Sequence, residues 1–235
     1  MVMNLNTGEI LHDVGSDKHF YPASLTKVMT IYLAFKYITE GKINLDTELT
    51  TPTYATKLIR CKIDLYPGQK ITVLDAIKAT IISSANDASE TLLYHLADRN
   101  RDNIPIIMNT QAKKLGMLKT KFINASGLFH HEQKTTARDL MKLSYAVRNH
   151  FPKLYKLFNE TSYEFNGKTF KGHNKIIEKY AGAEGLKTGY LTKSGYNLIS
   201  IATRNNVTLC GIIAGAKNKQ ERDQKMIQLL DKYFD

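Results

Sequence analysis

The sequence contains no tryptophan, only five prolines and two cysteines, and fewer acidic than basic residues. Cys61 and Cys210 lie far apart and show no metal-ligand spacing, so they predict no zinc site, and a single disulfide between them stays open. No apolar run approaches the ~18 residues that a membrane-spanning helix requires. The first residues also lack the basic and apolar regions of a signal peptide.

Basic residues outnumber acidic ones by 33 to 22, which gives a formal net charge of +11. Such a surplus attracts anionic polymers and membrane surfaces. The lysines are scattered mostly singly, however, and no dense basic block is interleaved with aromatic residues. We therefore expect solvated surface charges and no nucleic-acid partner. The 235 residues suffice for one large domain, or for a main domain with an inserted lobe.

Strand patterns lie at the two ends of the chain, and helix patterns fill its middle. Strands are predicted at 2–5, 9–14, 185–190, 197–204 and 207–215, and the dipeptide Asn166-Gly167 predicts a further hairpin. Helices are predicted at 24–40, 72–80, 87–97, 105–115, 136–147 and near the carboxyl end. The polar stretch 42–69 predicts no regular structure. This order describes a sheet covered by helices, with the first and last elements brought together.

Ser24 and Lys27 are three residues apart at the opening of a predicted helix, which places both on one face. Serine is a poor nucleophile at neutral pH and needs a base within hydrogen-bond reach. The partial positive charge of a helix N-terminus disfavours a protonated amine, so a desolvated Lys27 suits that task. A serine and a lysine also meet at this spacing by chance. The chain contains no second S-x-x-K.

Ser84-Ala85-Asn86 lies between two predicted helices, where a hydroxyl and an amide can project into a cleft. The alternative is that Ser84 or Asn86 caps the helix that follows. A capping residue fixes the loop that presents these side chains, so both functions are compatible.

Lys187-Thr188-Gly189 lies within a predicted strand, where a cation and a hydroxyl suit a substrate carboxylate and a glycine permits close approach of a ligand. The alternative is an ordinary exposed strand lysine. Lys193-Ser194-Gly195 matches the same pattern, but it is predicted to form the turn between two strands. We therefore favour the first triplet.

The three motifs in this order form a specific pattern. The chain resembles the low-molecular-mass penicillin-binding proteins, the serine-type D-alanyl-D-alanine carboxypeptidases. The resemblance covers nearly the whole chain and rests on residues 22–27, 84–88, 122–128 and 185–189.

The resemblance implies an α/β fold of the α+β type that is similar to β-lactamases and transpeptidases. In that fold an antiparallel sheet is flanked by helices, with an all-helical lobe. We expect one catalytic domain over 1–235, with a sheet subdomain (1–40 and 160–235) and a helical subdomain (41–159).

The resemblance also implies roles for the motif residues. Ser24 attacks the carbonyl between two D-alanines, and Lys27 takes its proton. Ser84 relays a proton toward the leaving amine, and Asn86 holds the substrate's amide. The oxyanion hole maps to the backbone N–H groups of Ser24 and Tyr190. A substrate-binding role maps to Lys187, Thr188, Gly189 and Arg222. For Arg222 the alternative is a solvated charge at the start of the last helix. Neither a cofactor nor a metal is implied.

The expected partners are peptidoglycan stem peptides that end in D-Ala-D-Ala, and β-lactam antibiotics. Proteins of this family are usually exported, with a signal peptide and an amphipathic carboxyl-terminal anchor, neither of which is read in this sequence. We expect a catalytic domain trimmed from a longer precursor. That precursor would be periplasmic or otherwise extracytoplasmic and associated with the membrane.

Three alternative functions share this chemistry. A β-lactamase of class A would carry an E-x-x-L-N pentapeptide between the second and third motifs, and none occurs between Asn86 and Lys187. A non-hydrolytic β-lactam sensor keeps Ser24 and Lys27 but releases no D-alanine. A DD-endopeptidase that cuts cross-bridges would carry the same motifs.

Overall fold

The computed structural model describes residues 1–234, and Asp235, the last residue of the predicted domain, lies outside the described residues. The strands are β1 (Val2–Asn4), β2 (Ile10–His12), β3 (Glu48–Thr50), β4 (Lys70–Thr72), β5 (Ser162–Phe165), β6 (Lys168–Lys171), β7 (Ala183–Leu191), β8 (Gly195–Arg204) and β9 (Val207–Ala216). Five of them form an antiparallel sheet in the order β2-β1-β9-β8-β7. The first and last parts of the chain therefore meet in one sheet, as predicted.

The helices are α1 (Lys27–Thr39), α2 (Thr53–Thr56), α3 (Val73–Ile81), α4 (Asn86–Leu96), α5 (Asn103–Lys114), α6 (Ala137–His150), α7 (Ile176–Lys179) and α8 (Lys219–Phe234). Two 3-10 helices span Ala23–Thr26 and Leu154–Asn159. The expected antiparallel sheet with flanking helices and a helical middle is confirmed. None of the described helices combines the length and apolar character required to cross a bilayer.

Strand β8 shows how the sheet separates two apolar cores. Leu198 and Ala202 pack with Met226 of α8 on one face. Ile199 and Ile201 belong to the main core on the other face, which also holds α1, α3 and α4. Alternate residues of a strand point to opposite faces, so a strand buried on both sides is apolar at both sets of positions. The main core lies between the sheet and the helical middle.

Local signals set several element ends. The Thr72 hydroxyl accepts a hydrogen bond from the N–H of Asp75 at 3.0 Å, and Thr136 does the same for Asp139 at 3.1 Å. Both threonines therefore cap the helices predicted to begin at these residues. The predicted hairpin at Asn166-Gly167 is confirmed, since β5 pairs with β6 across it. Between the predicted strands 197–204 and 207–215, Asn205 and Asn206 form a turn with left-handed φ angles of 47° and 64°.

Three predictions of secondary structure were wrong. The stretch 42–69 contains β3 and α2, and β3 pairs with β4. Three-residue strands are too short for a sustained period, which explains the miss. Helix α5 begins at Asn103, two residues before Pro105, because proline is tolerated in a first turn. The helix predicted from Ser24 begins as a 3-10 turn and becomes α-helical only at Lys27.

Candidate active site

Ser24 lies in the 3-10 turn Ala23–Thr26, which leads directly into α1. Its hydroxyl oxygen is 3.2 Å from Nζ of Lys27, the first residue of α1. Ala23 has a φ of 51°, an uncommon value for a residue with a side chain. Ser24 is half-buried and lines a cleft, whereas Lys27 is fully buried. The hydroxyl thus faces the cleft and the amine lies behind it.

The Lys27 amine has three oxygen neighbours. Its Nζ is 2.7 Å from Oδ1 of Asn86, and it also contacts the backbone carbonyl of Ser126. Burial lowers the pKa of Lys27 from 10.5 to about 7, and the neighbouring Lys187 acts in the same direction. A neutral amine has two N–H donors and one lone pair. If both N–H groups bind these carbonyl oxygens, the lone pair is left for the Ser24 hydroxyl proton.

The loop before α4 brings the second motif to the same place. Asn86 is the first residue of α4, and its side chain joins Lys27 to the carbonyl of Ile59, to which its Nδ2 donates at 2.9 Å. The N-cap residue of α4 is Ala85, without a side-chain cap bond, so the capping alternative is wrong. Ser84 is buried with a φ of 59° and lines the cleft.

Strand β7 is the last strand of the sheet, so within residues 1–234 one of its edges has no neighbouring strand. Lys187 is only 2% exposed, which rules out the exposed strand lysine. Burial lowers its pKa to about 8, and the Arg222 charge acts in the same direction. A Cβ atom on Gly189 would lie 3.2 Å from the backbone nitrogen of Ser24. The strand therefore lies against the nucleophile turn, with an open edge that suits an extended peptide.

The competing triplet lies elsewhere. Residues 192–194 separate β7 from β8, as predicted for a turn. Lys193 is exposed, and its Nζ lies 4.5 Å from the centre of the Phe129 ring.

One cleft of about 310 Å³ collects most of the predicted residues. Its lining includes Ser24, Ser84, Asn86, Thr188, Gly189, Tyr190 and Arg222. Lys27 and Lys187 lie buried behind this lining. Arg222 is 3% exposed, and its Nε donates to Asp223 at 2.8 Å, so the solvated-charge alternative is wrong. The three motifs thus meet at one site.

Several residues at the site had no role in the sequence analysis. Ser126 and Gly127 lie in a segment on which the family resemblance rests, but the motif alone gives no contact with Lys27 or Ser24. His173 lines the cleft, and its Nε2 is 3.2 Å from the carbonyl of Ser83. Burial lowers the pKa of His173, and Lys187 acts in the same direction. No local pattern around His173 predicts this position.

The two cysteines are both free: Cys61 is exposed and lines the cleft, and Cys210 is buried. The disulfide that the sequence left open is therefore absent. Within residues 1–234, no group of three His, Cys, Asp or Glu side chains is arranged to hold a metal ion.

The chain is similar to known proteins in both sequence and structure. The sequence model of the D-alanyl-D-alanine carboxypeptidase family matches residues 1–218. D-alanyl-D-alanine carboxypeptidase DacC of Escherichia coli is 32% identical over 98% of the chain, which spans 59% of that relative. Penicillin binding protein 5 of Haemophilus influenzae is structurally similar, with a TM-score of 0.95 and 29% identity over 99% of the chain and 69% of that structure. An ampicillin-bound penicillin-binding protein of Listeria monocytogenes has a TM-score of 0.90 and 28% identity, covering 100% of the chain and 96% of that structure.

Proposed function

The chain belongs to the D-alanyl-D-alanine carboxypeptidase family, and from that premise we propose that it is a serine-type D-Ala-D-Ala carboxypeptidase acylated by β-lactams. The observation that carries the proposal is the buried Lys27 amine, 3.2 Å from the Ser24 hydroxyl and hydrogen-bonded to Asn86. The chain spans less than two thirds of the length of most of the curated relatives it matches. The substrate and partners of the whole protein are therefore part of the proposal.

In the proposed reaction, the Ser24 oxygen attacks the carbonyl between the two D-alanines. Lys27 accepts the hydroxyl proton, and Ser84 relays a proton to the leaving amine. D-alanine departs, and water hydrolyses the ester on Ser24. Asn86 holds the substrate's amide, and the N–H groups of Ser24 and Tyr190 stabilise the oxyanion.

The terminal carboxylate of the substrate would bind at the basic end of the cleft. Lys187, Thr188 and Arg222 supply two cations and a hydroxyl there, and Gly189 leaves room for the peptide backbone. None of the described residues that line the cleft is acidic. A peptide that carries a free carboxylate is therefore favoured by charge.

The same lining bears on the β-lactamase alternative. Class A β-lactamases hydrolyse the acyl-enzyme rapidly with the glutamate of their E-x-x-L-N loop. Of the described acidic residues, none lines the cleft, and the buried Glu90 binds backbone N–H groups behind it. We propose slow deacylation of β-lactams, and hence a stable penicillin adduct.

We propose that residues 1–235 form one catalytic domain, with a sheet subdomain from both chain ends and a helical subdomain from 41–159. We also propose that the protein acts outside the cytoplasm, since stem peptides of peptidoglycan are found there. The proposed partners are those peptides and β-lactams, without nucleic acid.

The proposal is tested with two measurements on the same protein. Mass spectrometry after brief incubation with penicillin should find one adduct, on Ser24, and a peptide ending in D-Ala-D-Ala should release D-alanine. The Ser24→Ala variant is the control and should show neither. An adduct without release would support the sensor alternative, and cleavage of a cross-linked peptide without release would support the endopeptidase. A folded protein with neither adduct nor cleavage would refute the proposal.

A further inference from the structure

Glu90 is a buried carboxyl group behind the cleft, outside the three motifs. It lies on α4, one helical turn after Asn86, and is 3% exposed. Its Oε1 accepts hydrogen bonds from the backbone N–H groups of Ala125 at 3.0 Å and Ser126 at 3.1 Å. Burial of a carboxyl group is costly unless its oxygens are hydrogen-bonded, and these two bonds offset part of that cost.

One residue, Ser126, binds Glu90 through its backbone N–H and the Lys27 amine through its carbonyl group. A chain of hydrogen bonds thus runs from α4 through one residue of an irregular segment to the start of α1. Since the Lys27 amine needs two fixed carbonyl acceptors to aim its lone pair at Ser24, the position of the Ser126 carbonyl matters for the reaction.

We propose that Glu90 is a positioning residue for the Lys27 amine: its carboxyl group fixes the backbone of Ser126, whose carbonyl orients the amine toward Ser24. The proposal rests on Lys27 being the base of the proposed function. Glu90 does not touch the substrate cleft, so it acts through Ser126 and through its charge.

The charge of Glu90 opposes the effect of burial on Lys27. Burial and Lys187 lower the pKa of Lys27, whereas Cys61, Glu90 and Asp87 raise it. The titratable groups that interact with Glu90 include Lys27 on α1 and Tyr54 on α2, whose hydroxyl is 3.5 Å from Oε2. Burial also raises the pKa of Glu90 itself. Removal of the Glu90 charge therefore favours a neutral Lys27 at lower pH.

Two variants distinguish the effect of Glu90 on the position of the Ser126 backbone from the effect of its charge. Glu90→Gln keeps an oxygen that can accept from both N–H groups but removes the charge, whereas Glu90→Leu removes both. The measurement is the rate of Ser24 acylation by a fluorescent penicillin between pH 5 and 9. We expect Glu90→Leu to be slower at every pH by roughly tenfold to a hundredfold, as misplacement of a catalytic group predicts. In the profile of acylation rate against pH, we expect Glu90→Gln to keep most of the maximal rate. The acidic limb of that profile, where the rate rises with pH, should move to lower pH.

Asp139→Asn is the matched control. Asp139 is also a buried carboxyl group at a helix start that accepts a backbone N–H from a distant loop, that of Lys119 at 2.8 Å. It is not among the charges that act most strongly on Lys27. We expect this variant to leave the acidic limb unchanged, even if its thermal stability falls.

A wild-type rate in Glu90→Leu, or an unmoved limb in Glu90→Gln, would overturn the inference. The pKa of Lys27, measured by NMR on protein with ¹³C-labelled lysine, provides a readout that needs no acylation. If the wild-type protein is not acylated, the proposed function fails. If it is acylated but the Lys27 pKa is the same in Glu90→Gln, only the inference about Glu90 fails.

Discussion

A Cβ atom on Gly127 would lie 1.9 Å from the carbonyl oxygen of Ala23, the residue before the nucleophile. Gly127 has a φ of 80° and Ala23 a φ of 51°, so two left-handed residues pack against each other. The segment that orients Lys27 through Ser126 therefore also supports the backbone of Ser24. No side chain fits at this contact, which explains the glycine.

The Gly127→Ala variant should lose both stability and acylation. The added carbon must displace the Ala23 backbone, and overpacking of this kind costs about 1–3 kcal/mol. We expect penicillin acylation to slow by roughly tenfold or more, because the turn that carries Ser24 shifts. Thermal denaturation and acylation rates measure the two effects.

Gly41→Ala is the control for Gly127→Ala. Gly41 also has a left-handed φ of 68°, but a Cβ atom there would meet nothing within 4 Å. It should lose about 1 kcal/mol through backbone strain and keep its acylation rate. Equal acylation by the two variants would show that the contact with Ala23 does not position the nucleophile.

The rate of peptide cleavage should depend on pH through two lysines. Lys27 must be neutral to accept a proton, so kcat/KM rises as pH increases through its pKa of about 7. Lys187 must be charged to bind a carboxylate, so kcat/KM falls as pH increases through its pKa of about 8. We expect a narrow bell-shaped profile between these values, with the two limbs belonging to an interacting pair.

Lys27→Arg tests the acidic limb of this profile, which we assign to Lys27. Arginine stays protonated in proteins, so acylation should fall by roughly 10²–10⁴-fold at every pH, the usual contribution of a general base. An active Lys27→Arg variant with an unchanged acidic limb would assign the base to another residue.

Most of the fold was predictable because its signals are local. Turns at 166–167 and 205–206 rest on asparagine and glycine, which tolerate left-handed φ angles, and the caps at Thr72 and Thr136 need only a neighbour three residues away. The elements missed in 42–69 are three or four residues long. Their strand pairing, Leu49 with Ile71, is a tertiary contact that no local period shows.

The residues of the site also fall into two groups, those that local motifs identify and those that only tertiary contacts place. The motifs identified Ser24, Lys27 and Asn86 as candidates, because their chemistry depends on residue type and spacing. The burial of Lys187 and the fit of Gly127 against Ala23 depend on elements distant in the sequence. Glu90 shows this most clearly, since its partners follow it by 35 and 36 residues.

The two lysines of the competing K-[TS]-G triplets provide a direct test of which one binds substrate. Lys187→Met should raise KM for a D-Ala-D-Ala peptide and lower kcat/KM by roughly a hundredfold, because a buried hydrogen-bonded charge that meets a carboxylate contributes several kcal/mol. Lys193→Met should change kcat/KM less than about twofold, since Lys193 is exposed above Phe129. The opposite ranking, measured by D-alanine release, would reassign the carboxylate site to the turn.

The two thiols should differ in reactivity because only the thiolate reacts and only one thiol is accessible. Burial raises the pKa of Cys210 to about 12, whereas Cys61 is exposed on the lining of the cleft. At pH 8 a maleimide should label one thiol per native chain and two after denaturation.

A bulky maleimide on Cys61 should also block acylation of Ser24, because both residues line one cleft of about 310 Å³. Cys61→Ser should abolish this inhibition and Cys210→Ser should not. Inhibition that persists in Cys61→Ser would mean that the reagent acts on another residue.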